Sequence, residues 1–128
     1  MNDLQFSTEM RARLAARGGG YHERAYLFVL ASIEFLQGRL DVRRHVGGEE
    51  LAWGCRDFAI RQFGPMARTV LEHWGIRRTD DLGRIVFTLV EVGLLVTQPG
   101  DRVEDFAGRF EFAEVFGEDQ VWLGTSGH

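Results

Sequence analysis

One stretch, Tyr21 to Leu40 (YHERAYLFVLASIEFLQGRL), constrains this chain more than any other, because it is apolar around most of a helical turn. Tyr26, Val29, Leu30, Ile33, Leu36 and Leu40 recur at three- and four-residue spacing, the period of a helix with a buried stripe. Ala25, Phe28 and Phe35 widen the stripe beyond what one neighbouring element can cover. A helix of this kind belongs at the centre of a domain with other helices wrapped around it. Its longest unbroken apolar run, Ala25 to Ala31, is far shorter than the roughly 18 residues that span a bilayer, so a buried rod is expected. With 128 residues, 45% of them apolar and ten of them Phe, the chain can build one sizeable core.

Glycine and proline divide the rest. Ser7 or Thr8 can cap a short first helix that Gly18-Gly19-Gly20 stops, since three glycines lose too much backbone entropy to remain helical. Residues 1–20 are therefore expected to be a short helix and a hinge, 21–116 a single helical domain, and 117–128 a loose acidic tail. A third helix is expected from Gly48 to Phe63, burying Leu51, Cys55, Phe58 and Ala59. Gly64-Pro65 ends it and starts a short fourth helix with Met66, Val70, Leu71 and Trp74 inward. Thr79 is placed to cap a fifth, with Asp80 and Asp81 in the first turn, where the helix dipole favours negative charge.

Beyond Gly93 the pattern changes. Leu94 to Thr97 reads as a strand, Gln98-Pro99-Gly100-Asp101 as a turn, and Phe106 to Phe112 alternates as a second strand with one buried face. The expected fold is mainly α: about five helices around a central hydrophobic helix, with a C-terminal β-hairpin. The order over Gly64 to Leu95 is that of a helix-turn-helix with a trailing wing, so the second half is winged-helix-like.

All fifteen basic residues are Arg, against nineteen acids, for a net charge of -4. Net charge is +2 over residues 1–84 and -6 over residues 85–128, which disfavours a general nucleic-acid binder and leaves an acidic surface open to basic partners. The sole cysteine, Cys55, excludes an internal disulfide and suits a reducing, cytoplasmic setting. At helical core spacing it reads as an inert small apolar residue and not as a nucleophile. His22, His45, His73 and His128 form no ligand pair, so neither metal nor cofactor is expected. Glu72-His73-Trp74 sets an acid, a base and an aromatic wall side by side. Successive helical residues nevertheless diverge by about 100°, and Glu72 is better placed to pair with Arg68 one turn back.

The segments YHERAYLFVLASIEFLQ, RRHVGGEELAWGCRDFAIRQFGPMARTVLEHWGI and TDDLGRIVFTLVEVGLL resemble a family of small uncharacterised bacterial proteins first catalogued from Methylacidiphilum. The resemblance covers about Tyr21 to Phe116 and brings no activity, cofactor or catalytic residue with it. It implies that Arg43, Arg44, His45, Arg68, Glu72 and His73 are signature polar positions, a candidate binding patch if they meet. Gly47 departs from the family's expected Ser, which puts the capping of the third helix in question.

Three functions follow as expectations. The favoured one is a non-enzymatic protein-binding or assembly module, acting on a protein partner or by self-association, with no membrane role. The second is a winged-helix nucleic-acid binder gripping phosphates with Arg43, Arg44, Arg77 and Arg78, although Asp80 and Asp81 sit where such a helix needs cations. The third is a small enzyme using Glu72 and His73 as acid and base.

Overall fold

The computed structural model describes residues 6–116, so the 117–128 tail, with Trp122 and His128, lies outside the described residues. Within them the chain forms α1 (Thr8–Ala16), α2 (Glu23–Gly38), α3 (Gly48–Phe63), α4 (Ala67–His73), α5 (Thr79–Glu91) and α6 (Phe112–Val115). Two 3₁₀ turns, Gly64–Met66 and Val103–Phe106, complete the order. The fold is all-α, and no helix among the described residues is long and apolar enough to cross a membrane.

The central rod is α2. It packs most extensively on α3 and then on α5. It buries Ala25, Tyr26, Phe28, Val29 and Leu36. Full burial of each large apolar side chain contributes about 1.5–3 kcal/mol. Gly54 lets α3 approach closely, since a Cβ there would lie 3.1 Å from Leu36. Trp74, at the end of α4, closes the other end of α2 through its ring contact with Phe28 and its carbonyl, which accepts from His22 N at 3.0 Å. Met66, expected inward, is exposed, and Ala67 takes its place in the core.

The caps explain the helix boundaries. Ser7 Oγ accepts from Met10 N, and His22 Nδ1 accepts from Arg24 N, each satisfying a donor with no intrahelical partner. Gly47 precedes α3 with no side-chain cap. Thr79 is not the cap of α5. It lies fully buried inside the first turn, and its Oγ1 accepts from Arg109 N at 3.0 Å. Asp81 does the capping instead, reaching back to Arg77 N at 2.8 Å and Arg78 N at 3.1 Å. Its other oxygen accepts from the Tyr21 hydroxyl and from Arg84 Nη1, so one carboxylate ties the glycine hinge to α5.

The expected hairpin is a correction: there is no strand among the described residues. Leu94 to Thr97 joins no ladder, its first two N–H groups turning back to Leu89 O, and the segment read as its partner runs from the end of the Val103–Phe106 turn to the start of α6. The physical reason is Phe106. Its ring and Cβ occupy a notch made by two glycines, where a Cβ on Gly83 of α5 would be 2.9 Å from Phe106 Cβ and one on Gly48 of α3 would be 3.1 Å from its ring. Burying Phe106 there, with Phe112 at the start of α6 and Phe116 just past its end, one helical turn on, replaces a one-faced strand. Without the hairpin there is no wing, and the winged-helix likeness fails with it.

Because the notch is filled, Gly83→Ala should destabilise the chain by about 1–3 kcal/mol from overpacking, although alanine in an open helix interior would stabilise by up to ~1 kcal/mol. Phe106→Ala alone should cost about 3–5 kcal/mol. Urea denaturation of the double variant should show a loss smaller than the sum, since the clash disappears with the ring.

Candidate functional site

The residues singled out from sequence fall into two groups at opposite ends of α2. Arg43, Arg44 and His45 follow its C-terminus, where Gln37 holds their loop by donating to Arg44 O and accepting from Arg44 N. Arg68, Glu72 and His73 lie on α4, beside the N-terminal His22, whose ring centroid is 6.5 Å from that of His73. From His22 to Glu34, the carboxylate that holds Arg43, is twelve helical steps, or about 18 Å. The single polar patch suggested by the resemblance is therefore two patches.

In both, the charges are already matched. Arg43 forks onto Glu34 at 3.2 and 3.3 Å, and Arg44 forks onto Glu50 at 3.0 and 2.8 Å. These bidentate bonds hold the Glu50 carboxyl below its ordinary range. Arg68 bonds Glu72 at 2.8 Å one turn away, and His73 is exposed. Arg78 reaches Asp80 at 3.8 Å, while Arg77 contributes its backbone N–H to Asp81. His22 spends Nδ1 on its helix cap, which leaves Nε2 as the protonated nitrogen and opposes metal ligation through either atom. No group of three metal-ligating side chains occurs among the described residues.

Of those candidates only His45 borders the cleft that stands out in this fold. The cleft, of about 130 Å³, is walled by Ile33 of α2, Leu51 of α3, Val86 and Phe87 of α5, Leu95 and Phe106. Its rim is polar and internally bonded. His45 Nε2 lies 3.0 Å from Asp101 Oδ2, and Asp101 also accepts from Gln98 N at 2.7 Å, closing the turn at Pro99-Gly100. The Gln98 N–H first, then His45, holds the Asp101 carboxyl below its ordinary range. Asp105 accepts from Arg102 N and so starts the turn that delivers Phe106 to the cleft floor. The turn chemistry read from the sequence is thus real, although it joins loops and not strands.

From the rim the apolar surface continues outward. Val96 is 87% exposed and Leu94 is 38% exposed, both next to Leu95 in the wall. Sequence reasoning marked Leu94 to Thr97 as apolar but assigned it to a strand of a hairpin, and it passed over Gln37, Asp101 and Phe106 as site residues. The signal that could have exposed the lip is its lack of charge: Val92 to Gly100 contains no Asp, Glu or Arg.

Cys55 lies in the core beside Ser32, and burial pushes its thiol up to about 12. No family model, no curated protein and no solved structure matches the chain, so geometry alone carries the functional reading.

The buried acids give the fold a pH dependence of known sign. Burial raises the Cys55 thiol from 9.0 to about 12, and burial with the Asp81 hydrogen bond raises Tyr21 from 10.0 to about 12. A raised folded value means stability fully present below the unfolded value and lost as pH climbs through the folded one. Urea midpoints should accordingly hold to pH 9 and fall steadily towards pH 12, and a thiol reagent at pH 8 should label Cys55 only after unfolding. Rapid labelling of the native chain would contradict the burial.

Proposed function

We propose that this chain is a non-enzymatic protein-binding module whose docking face is the cleft between α2, α3 and α5 together with its aliphatic lip. One observation carries the reading: a cleft walled by apolar side chains opens onto the exposed Val96, with the exposed Leu94 beside wall residue Leu95 in the chain, while its rim residues His45 and Asp101 bond each other. Scattered exposed aliphatics are ordinary on a protein surface, whereas a contiguous apolar concavity with a polar rim has the anatomy of a recognition site. The His45–Asp101 pair offers an incoming group little, while Arg102 and Thr97 on the same rim keep side-chain donors, so recognition here combines apolar burial with a few polar contacts.

The other two readings have less support. A phosphate-gripping role for Arg43 and Arg44 would have to displace Glu34 and Glu50 from bidentate contacts, and α5 turns Asp80, Arg84, Thr88 and Glu91 away from the core. Glu72 and His73, the acid–base pair of the third reading, do not line this cleft. Glu72 is also held by Arg68.

A photo-crosslinking residue at Val96, introduced in the native cell, should trap a protein, and the same residue at the exposed Arg61 on α3 should not. The adduct should disappear in a Leu94→Glu background whose melting temperature is unchanged. Equal adducts at both positions, or nucleic acid at Val96, would overturn the assignment.

A further inference from the structure

We infer that the cleft binds a small organic acid, with a compact apolar body about the size of a benzene ring inside it and a carboxylate held at its mouth by Arg102, a site that the docking reading above does not require. Size sets the first half of that description. The cleft encloses about 130 Å³, close to the roughly 150 Å³ of an apolar cavity that takes up benzene. Ile33, Leu51, Val86, Phe87 and Phe106 line it, so an enclosed ring meets apolar atoms on its sides. A fused-ring cofactor or a long acyl chain exceeds that space. An ionised group does not follow the ring inside, since an unpaired buried charge is strongly unfavourable. It stays at the rim.

Hydrogen-bond supply at the rim sets the second half. Acceptors there are already engaged. Asp101 accepts from Gln98 N on Oδ2, and its two oxygens lie 3.1 and 3.0 Å from His45 Nε2. Asp105 accepts from Arg102 N, and the Gln37 amide is committed at both ends to the backbone of Arg44. Donors are in surplus. The Arg102 guanidinium and the Thr97 hydroxyl belong to the same lining and bond no described residue. Arg43 and Arg44, in the loop on the other side, are already forked onto Glu34 and Glu50. A free guanidinium beside an apolar opening matches a carboxylate, which accepts two of its N–H groups in parallel. An ammonium would have to share Asp101 and Asp105 with donors they already hold. Those two acids also repel any anion, a cost that grows with its charge, so a single carboxylate suits the mouth better than a doubly charged phosphate.

The test is an NMR titration of the intact chain with benzoate, read on the amide signals of Val96, Thr97 and Arg102 and on the methyl signals of Ile33 and Leu51. Saturable shifts with a Kd at or below about 1 mM are expected for so small a ligand. Benzamide and benzylamine keep the ring and lose or invert the charge, and each should bind about tenfold more weakly or worse. The same loss should follow for benzoate on an Arg102→Gln chain, whose melting temperature should not change because Arg102 is exposed. No shift at concentrations on the order of 10 mM, or equal binding by either analogue or by the Arg102→Gln chain, overturns the site. N-acetylphenylalanine carries its ring and carboxylate as a protein chain end does, and tighter binding of it than of benzoate overturns a free acid as the ligand. The photo-adduct at Val96 is read separately. A chain that binds benzoate yet traps no protein keeps this site and loses the docking reading, and one that traps a protein yet ignores benzoate does the reverse.

Discussion

The fit of Phe106 between Gly48 and Gly83 is the contact on which the candidate site depends. It joins the last part of the described chain to α3 and α5, the two helices that also cover α2. The same ring forms the floor of the cleft, so the notch that buries it also sets the cleft's depth. A glycine in a helix interior costs up to about 1 kcal/mol relative to alanine. Two glycines that admit one fully packed aromatic ring more than offset that, since removing such a ring costs several times as much. The cleft is therefore built by close packing and is not a gap left by poor packing.

Around this core the charged residues act locally. Asp81 fastens the glycine hinge and the start of α5 through Tyr21, Arg77, Arg78 and Arg84. Asp101 fastens the loop after α5 to the loop after α2 through His45. Exposed ion pairs contribute little net stability, typically below about 1 kcal/mol. Their service here is geometric, because each holds a loop that carries no regular hydrogen bonding of its own. The two loops joined by His45 and Asp101 bring Leu95 and Val46 to the same opening.

Much of the helical scaffold was legible in the sequence, because helical period and glycine or proline punctuation act over a few residues. The bounds of α2, the Ser7 cap, the missing cap at Gly47 and the core positions Leu82, Ile85, Val86 and Leu89 all follow from local chemistry. What was not legible depends on residues distant in sequence. Phe106, Phe110 and Phe112 alternate as a strand would, yet the fate of Phe106 was decided by a notch more than twenty positions away. Thr79 looked like a cap, but Arg109 claimed its hydroxyl and left the capping to Asp81. The arginines looked like a binding patch because the carboxylates that neutralise them, Glu34 and Glu50, belong to other elements. Only His45 passed from the expected set to the cleft, and its partner Asp101 is 56 residues away.

The failed hairpin also accounts for the surface that remains. A segment selected by its composition for pairing, Leu94 to Thr97, loses its partner in the chain when Phe106 is drawn into the glycine notch. Leu94 N and Leu95 N turn back to Leu89 O, and the backbone groups of Val96 and Thr97 face water at little cost, since hydration replaces the missing bonds. Its side chains have no such compensation, and Val96 stays almost wholly exposed. Covering that side chain would recover apolar burial at roughly 25 cal/mol per Å². An apolar lip beside an apolar cleft therefore favours an uncharged, apolar partner surface over a phosphate backbone.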